Sequence, residues 1–256
     1  MAFLAGLSAL CRAQSLPSPP SERETLEAFL RRADIAAVDK ETQAGRMNAW
    51  LVTLNDGKTS RRALFKYIRR NRPALMPDSY AYELAAYELD RLLGLELMPA
   101  TVERSIEGRT GSLQVFFEDA ESEKSRLRKN LRPPDPAAYQ DRLDEILVLE
   151  HLVGAPRQDL GDIIYQTAAW RPWRVDFSEA FPPSGELLSE YALSRCSRRV
   201  LAALSTKWDD GAVRKRLKTY LTQAEIEALF KRRLLILNEV KRLVVEKGEA
   251  AVLYRP

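Results

Sequence analysis

The stretch PDSYAYELAAYELDRLLGLELMP, residues 77–99, constrains the fold more than any other part of the chain. Tyr82, Ala85, Ala86, Leu89, Leu92 and Leu93 recur at helical spacing, and Gly94 is a natural stop, so an amphipathic helix is predicted here. The sequence on either side has the patterning of strands. Ahead of the helix, AWLVTLNDGKTSRRALFKYI reads as a hairpin around Asn55-Asp56-Gly57. Alternation in its second strand places Leu64, Lys66 and Ile68 on one face and Ala63, Phe65 and Tyr67 on the other. Behind the helix come ATVERSI, a turn at Gly108 to Gly111, and SLQVFFEDA, two further strands.

The first helix of the chain is announced by Ser21 and Glu24, a capping-box pair followed by the apolar stripe Leu26, Phe29 and Leu30. After the second strand pair, ESEKSRLRKNLRPPDP is charged and then proline-rich, and reads as a linker between two lobes. Asp135-Pro136 then opens a strong helix, AAYQDRLDEILVLEHLV, with Asp135 as cap and Pro136 in the first turn. Two short strands follow around DIIYQ and WRVDF. Everything after Gly185 reads as helical, ending in a long helix capped by Thr222 and closed by Gly248. The expected division is residues 1–20 as an export signal and linker, 21–120 as a strand-rich N-lobe, 121–136 as linker and 137–256 as a helical C-lobe.

Composition excludes several classes. Hydrophobic residues at 45% and charged residues at 30% describe a globular protein with an ordinary core. A net charge of +4 over 256 residues is too small to imply a nucleic-acid partner, and none is expected. Two cysteines, Cys11 and Cys196, give no disulfide framework. The apolar run Ala2 to Leu10 is too short to span a bilayer. With the small residues Cys11 and Ala13 after it, the run has the form of a cleavable export signal, although no Lys or Arg precedes it.

The order of strands, helix, strands, linker, helix, two-stranded turn and helices resembles a protein-kinase-like fold, and local residues sharpen the likeness. YELAAYELDRLLGLELMPATVER is similar to a helix-and-strand segment of bacterial phosphoinositide-kinase-like proteins, in which Glu83 stands where a glutamate opens the run. ALFK resembles the strand that carries a phosphate-binding lysine, which makes Lys66 the candidate, with Leu64 roofing the adenine. GSLQVFF resembles the strand leading into the hinge, with Gln114 on it. RVDFSEAF resembles a metal-binding turn, with Asp176 as ligand, and AEIEALFKRR resembles the closing helix. The likeness runs roughly from Leu26 to Tyr254.

What the resemblance implies is an α+β, two-lobed kinase-like fold with a site for ATP and Mg²⁺ or Mn²⁺. Phosphoryl transfer asks a protein mainly to position a polyanion and neutralise charge. Lys66 would reach the phosphates, Glu83 would hold Lys66, and Asp176 with Asp162 would bind the metal through hard oxygens. The catalytic loop is where the chain departs from the pattern. Aligned without gaps on Leu152 to Ile164, the family asparagine falls on Ala155 and the catalytic aspartate on Arg157. Arginine cannot accept a substrate proton, but it can clamp a phosphate, and Asp159 lies two residues further on as a substitute base. The resemblance therefore implies a pseudokinase or weakly active kinase, with an active phosphotransferase or a module that binds no nucleotide as alternatives. A phosphate acceptor or protein partner is implied but not named.

Each of these residues also has a plain structural reading. Lys66 is an edge-strand lysine, Glu83 a solvated helix residue, Asp176 a turn residue, and Gly161-Asp162 a common turn pair. Gly45 in QAGRMN reads as a simple turn rather than a phosphate-covering loop. His151, the one histidine, reads as structural. RRALFKYIRRNR reads as a strand with solvated arginines, in preference to a nucleic-acid surface using Phe65 and Tyr67 for stacking. FKRRLLILNEVKRLVVEK reads as a core-packed terminal helix rather than a membrane-surface one.

Overall fold

The computed structural model describes residues 21–42, 49–70, 78–156 and 160–255. The first described element is α1 (Glu22–Arg32), where Ser21 and Glu24 cap one another reciprocally. It continues through β1 (Asp34–Asp39), β2 (Ala49–Asn55) and β3 (Ser60–Lys66). The turn between β2 and β3 is shaped by Asn55 and Asp56, whose side chains accept the Gly57, Lys58 and Thr59 amides, and by Gly57 at φ 84°. Two short strands, β4 (Arg69–Arg70) and β5 (Asp78–Ser79), pair antiparallel just before α2 (Tyr80–Leu93). β6 (Thr101–Ile106) and β7 (Arg109–Val115) complete an antiparallel sheet in the order β1-β2-β3-β7-β6.

β8 (Ala120–Ser122), α3 (Glu123–Arg128) and α4 (Pro136–Val153) lead into a one-turn 3-10 helix at Leu160–Asp162. β9 (Ile163–Gln166) and β10 (Arg171–Arg174) then pair with β8 in a second sheet, ordered β10-β9-β8. The remainder is β11 (Cys196–Ser197), α5 (Arg198–Leu204), α6 (Asp210–Leu217), α7 (Gln223–Lys247), α8 (Glu249–Val252) and β12 (Leu253–Tyr254), with β11 and β12 paired in parallel.

Two apolar cores form. The smaller lies on one face of the five-stranded sheet, where alternation buries Trp50, Val52 and Leu54 of β2, Ala63 and Phe65 of β3, and Leu113 and Val115 of β7 under Leu30 of α1. Burying each such side chain contributes about 1.5–3 kcal/mol. The larger core is helical and takes in α4, α5, α6 and α7. α2 belongs to it as well: Tyr82, Ala85, Ala86, Leu89 and Leu93 all pack into the helical core although α2 is inserted between strands of the sheet.

Several expectations need correction. Gly111 lies inside β7 rather than in the turn, which is confined to Glu107 and Gly108, both at positive φ. The segment expected to be a linker, 121–136, contains part of β8 and all of α3. That helix is held by a pair within it, Glu123 with Arg126 at 2.6 Å, and by one tertiary contact, in which Glu123 accepts the Tyr139 hydroxyl of α4 at 2.7 Å. The region after Gly185 is not all helix, since 186–195 is irregular and β11 and β12 pair across the domain. In RRALFKYIRRNR, by contrast, the strand reading agrees with the structure, since Phe65 is fully buried in β3. Arg62 is tied to Glu118 by a bidentate ion pair. Gly45 lies outside the described residues.

Candidate active site

Lys66 reaches the site because of the period of β3. Ala63 and Phe65 turn into the sheet's core, so Leu64 and Lys66 turn to the opposite face. Glu83 reaches it because Ser79 caps α2 and places Glu83 in the first turn, where the helix dipole favours a carboxylate. The Lys66 ammonium donates to Glu83 Oε1 at 2.5 Å and to Asp176 Oδ1 at 3.0 Å. Glu83 is neither solvated nor at the margin of the helix's packing, since only 3% of its side chain is exposed.

Backbone hydrogen bonds fasten the three contributing segments together. The Tyr80 amide donates to the Ile68 carbonyl at 2.8 Å, joining the lysine segment to the start of α2. The Ser79 amide donates to the Ser178 carbonyl at 2.9 Å, joining α2 to the turn that carries Asp176. Asp176 itself sits at φ 63°, a left-handed conformation that aspartate tolerates better than most residues. The Ser178 hydroxyl donates to its Oδ1 at 3.0 Å.

Asp162 closes the 3-10 turn before β9, and its carbonyl accepts the Val175 amide at 2.9 Å, which brings the two aspartate-bearing segments side by side. Leu64, Lys66, Gln114, Asp162 and Asp176 line one cleft of about 470 Å³, which also takes in Phe116, Phe117, Glu121 and Ser122. Gln114 donates its side-chain amide to the Thr101 hydroxyl at 3.0 Å. Arg157 and Asp159 lie outside the described residues. A larger groove, about 840 Å³, is lined by Arg23, Arg61, Glu96 and Trp173 among others; it contains none of the sequence-predicted site residues.

Burial disfavours the charge on Lys66, but the carboxylates of Glu83 and Asp176 outweigh it and hold the ammonium above the ordinary lysine pKa of 10.5. Burial pushes Glu83 the other way, raising its pKa against the pull of Lys66, with repulsion from Asp176 adding to the rise.

The donor set suits a divalent metal held jointly with phosphates. No group of three or more His, Cys, Asp or Glu residues with metal-binding geometry occurs among the described residues. Two carboxylates converge on the cleft, and Mg²⁺ is commonly bound by one or two protein carboxylates completed by phosphate and water oxygens. Lys66 beside them places a cation on the wall of the same cleft.

His151 is structural. It is buried, with Nε2 2.7 Å from the Tyr191 carbonyl and Nδ1 accepting the Leu188 amide at 3.2 Å. Sequence reasoning missed two buried charges behind the site, Glu150 in α4 and Arg174 in β10, which pair at 2.7 Å. The signal available was a charged residue inside each of two otherwise apolar runs, LVLEHLV and PWRVDF.

No known family model matches the chain, and no curated protein matches it. Solved structures do. Hydra Fam20 with sugar matches with a TM-score of 0.67 at 16% identity, over 92% of this chain and 93% of that one. The Helicobacter pylori proinflammatory kinase CtkA matches with a TM-score of 0.54 at 11% identity, over 86% of this chain and 98% of that one. At such identities the likeness is one of fold. The chain has a kinase-like fold, with an antiparallel sheet lobe and a helical lobe.

Proposed function

We propose that this chain binds a nucleotide together with Mg²⁺ or Mn²⁺ in the cleft between its sheet and helical lobes, as a pseudokinase or weakly active kinase. The observation that carries this is the convergence of Lys66 on Glu83 at 2.5 Å and Asp176 at 3.0 Å, on the wall of a cleft that Asp162 also lines. Lys66 neutralises phosphate charge, Glu83 fixes Lys66, Leu64 and Gln114 border the base, and the two aspartates hold the metal. The metal supplies charge neutralisation at the phosphates when bound. By the family resemblance, the position of the base falls on Arg157, which cannot accept a proton, and general bases are worth about 10²–10⁴-fold. The nucleotide site can therefore persist with little or no transfer.

The test is a thermal-shift titration with ATP, with and without Mg²⁺ or Mn²⁺, on the wild type and Asp176→Ala. Nucleotide at about 100 times its Kd stabilises a folded state by about 2.7 kcal/mol. A metal-dependent rise in Tm that disappears in Asp176→Ala supports the reading. The absence of any shift with any nucleotide and metal leaves an interaction module in its place. Arg157→Asp then separates a silent site from a weak one, because only an otherwise complete site gains transfer activity.

The acceptor is unnamed, a protein or a small molecule. The apolar run Ala2 to Leu10 is proposed as an export signal, tested by N-terminal sequencing of the mature protein. No helix among the described residues is long and apolar enough to cross a membrane.

A further inference from the structure

Arg174 is fully buried at the end of β10, two residues ahead of Asp176. Its Nε donates to Glu150 Oε1 at 2.7 Å. Its Nη1 is directed to the backbone of the segments that carry the candidate metal ligands: the Asp176 carbonyl at 3.1 Å, the Asp162 carbonyl at 3.4 Å, and the Val175 carbonyl. Its Nη2 lies 3.7 Å from Asp162 Oδ2. The guanidinium carbon stands 5.0 Å from the centre of the Phe177 ring. One side chain thus touches α4, the turn before β9 and the turn after β10.

The two ends of this arrangement are anchored in regular structure. Glu150 sits in the last turns of α4, and the Arg174 amide donates to the Leu97 carbonyl at 2.9 Å while β10 pairs with β9. Stability alone does not explain such a pair, because buried ion pairs replaced by apolar residues of similar volume are often neutral or stabilising. A planar fork does something an apolar pair cannot. It gathers carbonyls from two loops onto one point and fixes the distance between the carboxylates those loops carry.

We propose that Arg174, held by Glu150, is the positioning residue of the metal site. It sets the separation of Asp162 and Asp176 through their backbone and does not touch the metal. This rests on the nucleotide–metal reading above. Lysine at this position keeps the charge opposite Glu150 but has a single nitrogen, which cannot serve Glu150 and the carbonyls of both loops together.

The test measures Mn²⁺ affinity in the presence of a non-hydrolysable ATP analogue, from the free-Mn²⁺ EPR signal, for the wild type, Arg174→Lys and the double variant Glu150→Gln/Arg174→Gln. The double variant removes both charges and leaves neither buried alone. Near-UV circular dichroism and urea melts report the fold. The expected result is a Kd for Mn²⁺ raised by about 10–100-fold in both variants, with a cooperative melt retained. A folded variant whose Kd stays within about twofold of wild type overturns the proposal. Loss of the folded state in both variants also overturns it, by assigning the pair to the core alone. A wild type that binds no Mn²⁺ under these conditions is a different failure, and sinks the nucleotide–metal reading first.

Discussion

The Tyr82 hydroxyl donates to Glu225 Oε1 at 2.5 Å, across 143 positions of sequence. Tyr82 precedes Glu83 in α2, and Glu225 is the capping glutamate at the start of α7. α2, whose Glu83 pairs with the candidate phosphate-binding Lys66, is thereby tied to the longest described helix. Tyr82→Phe removes a hydrogen bond to a charged group, worth about 1.5–3 kcal/mol. Urea denaturation should show a loss of that size, and nucleotide affinity should weaken several-fold as α2 loosens. Unchanged affinity would mean that the apolar packing of α2 alone holds Glu83.

Replacing Lys66 by methionine leaves Glu83 facing Asp176 in a buried site. Breaking one side of a buried pair costs about 3–5 kcal/mol. The size of the loss should depend on pH. In the wild type the raised lysine pKa keeps the pair's contribution intact below 10.5, and the contribution fades as pH climbs beyond that. In Lys66→Met the acid whose pKa burial already raises loses its cation, so the variant regains stability as Glu83 takes up a proton at low pH. The stability gap between the two proteins is therefore widest near neutral pH and narrows toward both extremes. A gap that is flat from pH 5 to above 10.5 would contradict this.

Gly111 allows β7 to approach β3 next to Lys66. A Cβ at this position would meet the Lys66 carbonyl oxygen at 2.2 Å and the Phe65 ring at 2.8 Å. Since backbone is the nearer neighbour, β3 must move, at a cost typical of overpacking, about 1–3 kcal/mol. Gly111→Ala should lower both stability and nucleotide affinity. Gly108→Ala, where nothing lies within 4 Å but φ is 74°, should cost about 1 kcal/mol and leave affinity unchanged. Equal effects of the two variants on nucleotide affinity would place the constraint in the turn instead of at the lysine.

Cys196 is buried, and burial together with Glu145 pushes its thiol pKa up to about 12. The folded chain should protect it from alkylation at neutral pH. Because its folded pKa lies above the unfolded one, the thiol favours folding below pH 9 and withdraws that support as pH rises toward 12. Thiol counting with and without urea on wild type and Cys196→Ala checks this: the native counts should agree and the denatured counts should differ by one residue.

Much of this architecture was legible because local signals and burial agreed. Ser21 with Glu24, Asp135 with Pro136, and Thr222 cap the helices that begin there. Lys66, Glu83 and Asp176 could be picked out by their order along the chain and by resemblance to a known family. α3 could not, since a six-residue charged helix has no periodicity to read and depends on Tyr139 and Arg126 closing on Glu123. Arg174 and Glu150 were missed for a related reason. A charge in a strand or helix pattern normally marks the wet face, and it is their mutual approach, with the carbonyls Arg174 also reaches, that makes both burials tolerable.

The membership of α2 in the helical core bears on how such a protein could be controlled. A lysine–glutamate contact whose glutamate rides on a detached helix can be broken by swinging that helix, and so can serve as a switch. Here the helix is cemented into the larger half of the molecule by Tyr82, Ala85, Ala86, Leu89 and Leu93. Moving the glutamate away from the lysine then means disturbing that packing as well. If the proposed nucleotide site is real, the nucleotide would meet a socket whose glutamate is already in place, and control would fall to supply, access and abundance in place of alignment.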